Sequence, residues 1–378
     1  MSDKKYLEWP FFEPHHRNLS DQLERWADDN VRPLINHGDV DESCRRLVAG
    51  LGAAGLLRHA VPTDGVFDLR SLCLAREILA YHAALADFAF AMQGLGSATI
   101  NLFGSVSQRK AWLEPVRSGN CLCGFALSEP DAGSDVAAMQ MTLEEVSGGF
   151  RLSGEKMWVS NGGIANHYTV FARDQERYTA IAIKSDTPGL NVVERIDTIA
   201  PHPMAKLRFD KCLLPADAVI GERGAGMRLA LGTLDIFRPS VGAAALGLAR
   251  RAMDEARARA RSRQIFGGKL ADLQLVQSKL ADMAVKIDAA ALLIYRAAWV
   301  KDVGRAARIT QEAAMAKLFA TEAAQTIIDD AVQIWGAEGV RAGSVVEGLY
   351  REIRAMRIYE GASEVQKVII ARGELNSQ

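Results

Sequence analysis

The chain has 378 residues, 49% of them hydrophobic and 24% charged, with a formal net charge of -1. Such a chain buries a sizeable core, which excludes a disordered polymer, and it has no general attraction for nucleic acid or an anionic membrane surface. Cys44, Cys73, Cys121, Cys123 and Cys212 show no paired CxxC spacing, so they read as reduced thiols and neither as a disulfide framework nor as a metal site.

The opening stretch, MSDKKYLEWPFFEPHH, lacks an uninterrupted apolar leader and no segment is expected to span a membrane, which makes the cytoplasm the expected compartment. Residues 1–120 carry helical patterns: Leu23, Trp26, Ala27, Val31 and Leu34 fall on one face, and 71–104 is rich in Ala and Leu. Between 121 and 222 the texture changes to short β-rich runs, CLCGFAL, GFRLSG, HYTVFA, YTAIAIKS, LNVVERI and AKLRF. Gly, Asp, Asn and Pro clusters separate them, as expected for an antiparallel sheet or small barrel. From 223 to 378 helices return, at about 228–262, 270–303 and 309–335 with a final one near the end, as in a four-helix bundle. The predicted fold is mainly α with a central β-domain, in three zones and without internal repeats.

Four stretches and the approach to the last helix could carry chemistry. GFALSEPDAGSD, 124–135, follows a strand and could bring backbone N–H groups, Ser128 and Ser134 against a polar ring edge or a phosphate. In GEKMWVSNGGIANHY, strand alternation puts Trp158 and Ser160 on one face. That pair is either an aromatic wall beside a hydroxyl donor or a core tryptophan beside an edge serine. RSRQIFGGKLADLQ ends an arginine-rich helix whose acidic neighbours Asp254 and Glu255 favour a solvated face with one arginine used on an anion over a nucleic-acid patch. QIWGAEGV places Gln333 one turn before a Gly-containing helix end. Finally, RIYEGASEVQKVIIAR sets Glu360 before a helix that Ser363 and Gln366 are expected to start as a capping box, with Gly361 free to turn the backbone sharply. Read alone, Glu360 is either an ordinary acid near a helix N-terminus or a carboxylate aimed into a cavity.

Taken in order, FALSEPDAGSD, GEKMWVSNG, LDIFRP, RQIFG, QIWGAEG and IYEGAS resemble the acyl-CoA dehydrogenase family over about residues 70–375. The resemblance implies an N-terminal helical domain, a middle β-domain and a C-terminal four-helix bundle, with FAD held where they meet and across a subunit contact. It also implies an acyl-CoA substrate, an electron-transfer flavoprotein as acceptor and a homo-oligomer, dimer or tetramer. For the cofactor it implicates Phe125, Leu127, Ser128 and Ser134, Trp158 over one flavin face, and Ser160 near N5. Arg263, Phe266 and Gln274 would reach FAD of the neighbouring subunit, and Gln333, Gly336 and Gly339 would hold it from the other side, with Ser363 nearby. Ser134, Asp235, Arg238 and Gly361 are implied for substrate and Glu360 for the catalytic base. Some members carry the base just before the arginine of the LDxxRP segment; here that residue is Phe237, which cannot take a proton. Ala337, Ala362, the loop VPTDGVFDL and the short segment TIAPHPMAKL depart from the family pattern. The departures in the two loops bear on the substrate side, leaving open an unusual acyl group or one on a carrier protein. The resemblance also admits a flavin oxidase of the same fold or a silent assembly partner.

Overall fold

The computed structural model describes residues 1, 4–36, 38–306 and 308–376 and divides them into two compact units. One comprises Met1–Asp29, Asp68–Asp87 and Asp235–Gln378; the other comprises Asn30–Phe67 and Phe88–Leu234.

The first unit is helical. It takes in most of α1 (Pro14–Leu34), α3 (Leu69–His82), the start of α4 (Ala84–Phe103) and the bulk of α6 (Gly226–Ser262). It continues with α7 (Gln274–Asp302), α8 (Thr310–Trp335), α9 (Val345–Met356) and α10 (Ser363–Asn376). α7 packs along α8, and α8 in turn meets α9 and α10. Alanines recur among the buried residues of both helices, Ala290, Ala291 and Ala298 on α7 and Ala313, Ala316, Ala320 and Ala324 on α8, between larger residues such as Ile287, Ile294, Ile327 and Ile328. Small side chains let helix axes approach closely, so backbone dispersion contributes to the core alongside side-chain burial. The closest approach is at Gly247, where an added Cβ would sit 2.1 Å from the Glu77 carbonyl oxygen. Nearby, buried Glu77 accepts hydrogen bonds from Arg250 Nε at 2.7 Å and from the Tyr295 hydroxyl. Burial raises the Glu77 carboxyl, while Arg250 and the hydroxyls oppose that shift.

α9 is one helix more than the sequence reading counted. Its buried Val346, Leu349, Ile353 and Met356 do recur at helical spacing, but Gly348 and a run of charges interrupt the pattern. A second correction concerns α6, which is long and apolar enough to cross a membrane although no span was expected. Because 83% of its apolar stretch is buried inside the protein, core packing accounts for that composition.

The second unit contains α2 (Val40–Ala53), the rest of α4, α5 (Val106–Arg117) and an eight-stranded sheet. Its strands are β1 (Cys123–Ala126), β2 (Thr142–Val146), β3 (Gly149–Ser160), β4 (His167–Asp174), β5 (Arg177–Lys184), β6 (Leu190–Arg195), β7 (Met204–Pro215) and β8 (Val219–Ile220). They run in the order β6-β7-β3-β2-β4-β5-β8, with β1 alongside β4. The sheet is antiparallel except that β1 and β2 both pair parallel to β4, so it is mixed where antiparallel pairing alone was expected. β2 itself, TLEEV, escaped the sequence reading, because its two glutamates hide a single buried leucine. Leu152, Val170, Ile181, Leu207 and Phe209 fill the core of this unit.

Gly247→Ala is expected to lower unfolding stability by about 1–3 kcal/mol, because the added methyl must push rigid backbone. A urea midpoint equal to the parent's would contradict that packing.

Candidate active site

Between α9 and α10 the chain makes a tight turn in which Glu360 takes φ 51° and Gly361 φ 96°. A left-handed glutamate costs on the order of 1 kcal/mol, so the surroundings must hold it there. Two consecutive carbonyls provide the grip. The Glu360 carbonyl accepts from Arg238 Nε at 3.4 Å and Gln366 Nε2 at 3.3 Å. The Gly361 carbonyl accepts from Gln366 Nε2 at 2.9 Å and Lys317 Nζ at 2.9 Å. The predicted capping box therefore does not form. Gln366 reaches back to the turn carbonyls, while Ser363 Oγ donates to Glu322 Oε1 at 2.5 Å.

The carboxylate itself is left open. Glu360 is half-buried as a residue, yet Oε2 is closed off from solvent and has no hydrogen-bond partner among the described residues. Its backbone N–H makes no hydrogen bond among those residues either. Burial raises the proton affinity of the carboxyl, and Arg76, Lys317 and Arg238 pull it back, with Asp87 acting in the other direction. Among the described residues, none of the three cations donates a hydrogen bond to the carboxylate. Arg76, 2% exposed, grips Asp87 with two bonds of 2.8 Å and reaches Ser240 Oγ at 2.9 Å. Arg238 donates to Asp235 Oδ1 at 3.3 Å, and Asp235 Oδ2 takes Arg308 and Thr310, each at 2.9 Å. Lys317 is fully buried, which pushes its ammonium down to about 8. An ionisable oxygen with a free lone pair, inside a cationic field that does not neutralise it by contact, can accept a proton from a neighbouring molecule.

A second cluster lies in the sheet unit, where the segment after β1 runs beside the end of β3. Met157 N donates to Ser128 O at 2.9 Å, and Asn161 Nδ2 donates to Cys123 O at 2.9 Å. Buried Lys156 ties the two together, donating to the Leu127 carbonyl at 2.9 Å and to Glu129 Oε1 at 2.8 Å. The β3–β7 register slips between Lys156 and Val159, and Trp158 takes φ 59° at that slip. Even-numbered β3 residues Phe150, Leu152 and Lys156 are buried before it, whereas Val159 is buried after it. The bulge thus turns Trp158 and Ser160 away from the core together, and Trp158 is 53% exposed. A core tryptophan is thereby excluded. Phe125 stacks obliquely on Phe171 at 5.0 Å, Leu127 is buried, Ser128 is half-buried and Ser134 is exposed.

The remaining predicted residues gather in the helical unit at the ends of α6 and α8. Trp335 Nε1 donates to the Glu255 carbonyl at 3.2 Å, joining the two ends. Gln333 is exposed, and Gly336 ends α8 at φ 65°. After α6 a two-stranded hairpin, Gln264–Ile265 with Gly268–Lys269, turns through Phe266 and Gly267, both at positive φ. That turn holds Phe266 at 91% exposure, next to exposed Arg263 and just before Gln274 opens α7. The described residues include six non-glycine positions at positive φ, among them Trp158, Phe266 and Glu360, with Asn161 adjoining Ser160. Strain of this kind persists where surrounding structure enforces it and concentrates at functional positions.

Sequence reasoning missed Lys317, Arg76, Asp87 and the true role of Gln366. Lys317 left a signal: it interrupts the buried stripe Ala313, Ala316, Ala320 and Ala324, where a lysine is out of place. Arg76 and Asp87 lie eleven positions apart on consecutive helices, a spacing that carries no local signature.

The acyl-CoA dehydrogenase C-terminal domain model matches residues 224–375, the middle-domain model 124–212 and the N-terminal-domain model 13–120. The chain is 37% identical over 374 residues to the short-chain specific acyl-CoA dehydrogenase, mitochondrial, of Homo sapiens, covering 96% of this chain and 90% of that one. Among solved structures, it matches glutaryl-CoA dehydrogenase from Mycobacterium smegmatis in complex with FADH2. That likeness has a TM-score of 0.90 at 25% identity, over 97% of this chain and 96% of the other. A chain in the structure of the electron transferring flavoprotein of Acidaminococcus fermentans has a TM-score of 0.91 at 30% identity, covering 97% of this chain and 99% of its own. Three domain models in order, together with a relative matched over nearly its whole length, show that this chain belongs to the acyl-CoA dehydrogenase family.

Proposed function

We propose that the chain catalyses α,β-dehydrogenation of an acyl-CoA thioester to the trans-2-enoyl thioester, with FAD as cofactor and Glu360 as base. The observation that carries this reading is the buried Oε2 of Glu360, unpartnered among the described residues, on a turn held in a left-handed conformation. Bound FAD would supply the acceptor for the hydride that leaves the β-carbon. The fit to such a ring system rests on Trp158, presented outward by the bulge beside Ser160, with Phe125, Leu127, Ser128 and Ser134 on the adjoining segment. Arg263, Phe266 and Gln274 would serve the cofactor of a neighbouring copy, and Gln333, Gly336 and Gly339 would complete its site. Exposure of Phe266 at a hairpin tip supports that role, since an aromatic held there by strain has no core to fill.

A thioester α-hydrogen is too weakly acidic for a solvated carboxylate, so the substrate carbonyl must be polarised. The N–H of Glu360, unbonded among the described residues, would donate to that carbonyl oxygen. Glu360 Oε2 then takes the α-proton as the α-carbon's bonding pair becomes the new double bond and the β-carbon loses hydride. Burial raises the carboxyl's proton affinity, the direction a base for this step needs, while Arg76, Lys317 and Arg238 favour its ionised form. An electron-transfer flavoprotein is the proposed acceptor of the two electrons, in keeping with the likeness to a chain from a structure of that protein.

Glu360→Gln is expected to keep FAD and acyl thioester binding while anaerobic flavin reduction slows by roughly 10²–10⁴-fold or more, the usual contribution of a positioned base. Reduction at the parental rate would remove Glu360 from the reaction. The same substitution also tests the electrostatics. Because the folded carboxyl lies above its ordinary value, folding favours its protonated form, and the stability this confers is present at low pH and lost as pH rises through the folded value. Glu360→Gln should therefore melt above the parent at neutral pH, with the gap closing below about pH 4, near the unfolded carboxyl's value. A variant that melts below the parent at pH 7 would show the carboxylate to be stabilising instead.

A further inference from the structure

We propose that Lys317 is a positioning residue of the Glu360 base: fixed on α8 beneath the turn, its ammonium clamps the Gly361 carbonyl and acts on the carboxylate through its field, without touching it. This deepens the reading of Glu360 as base and rests on it. Lys317 is 0% exposed and sits in the alanine stripe of α8, and its hydrogen bond goes to the Gly361 carbonyl at 2.9 Å. Enclosing an ammonium this way is unfavourable unless its charge is used, and a neutral donor would hold a carbonyl as well. Gln366 already serves both turn carbonyls without charge.

What a lysine adds is therefore a positive field at residue 360. The charged groups facing Lys317 are Glu360 on the turn, Glu322 on its own helix, Arg238 on α6 and Glu364 on α10. Those facing Glu360 are Arg76 of α3, Arg238 of α6, Lys317 of α8 and Asp87 of α4. Arg76 is already matched by Asp87 and Arg238 by Asp235, each through direct contact. Lys317 has no carboxylate in contact among the described residues, so its charge remains for Glu360.

The test uses the FAD-loaded protein and Lys317→Gln, which removes the charge but keeps a donor, with Lys317→Met as a second variant. The readout is an infrared pH titration of the protonated carboxyl band that Glu360→Gln abolishes. Both Lys317 variants should move its midpoint upward by about one pH unit or more, a tenfold change in the ionised fraction at fixed pH. A midpoint left in place by Lys317→Gln overturns the proposal, whatever Lys317→Met does to folding. Failure of the base reading is separable, because it would appear as undiminished flavin reduction in Glu360→Gln even where the Lys317 midpoint moves as expected.

Discussion

A carboxylate taken out of water has to be paired or protonated, and Glu360 meets that constraint in an uncommon way. Its Oε2 is enclosed and has no partner among the described residues, and the three cations whose fields it feels are tied to Asp87 and Ser240, to Asp235, and to the Gly361 carbonyl. A direct ion pair would occupy the lone pair and pull the proton affinity far below neutrality. A cationic field at one remove keeps the ionised state accessible while leaving the oxygen free. The left-handed backbone at residue 360, and the donors that hold it, are what this arrangement demands of the fold.

In the sheet unit a buried lysine again secures a strained segment, here through a direct ion pair with Glu129 and not a field at one remove. A bulge in β3 reverses the phase of burial and turns Trp158 outward, and buried Lys156 ties the bulged strand to the segment carrying Leu127 and Glu129. Burial pushes Lys156 down to about 8, against the pull of Glu129. In both units a buried lysine fastens a strained segment to its neighbours, and the strained segment is the one that displays a side chain proposed to act on ligand. Strain is tolerated because the donors holding it are themselves packed in the core.

Much of this was legible in the residues. The long helices expected at about 228–262, 270–303 and 309–335 are α6, α7 and α8, the β-rich runs between 121 and 222 became strands, and the order of six short motifs pointed to the family. What escaped depends on geometry that no local pattern encodes. Strand alternation correctly puts Trp158 and Ser160 on one face, but only the bulge decides that this face looks outward. Ser363 and Gln366 have capping-box spacing, yet nearby Glu322 and two turn carbonyls outcompete the local bonds. The pairing of Arg76 with Asp87, and the reach of Lys317 from α8 to the turn, are tertiary facts about consecutive or distant helices.

The central claim is that Glu360 Oε2 removes the proton next to the thioester carbonyl. An acyl-CoA analogue with sulfur in place of the β-methylene cannot surrender a hydride, so with it proton removal stands alone. Incubated in deuterium oxide with the FAD-loaded protein and followed by NMR, the analogue should take up deuterium at its α-carbon, and Glu360→Gln should abolish that uptake. Exchange at the parental rate in the Gln variant would contradict the account.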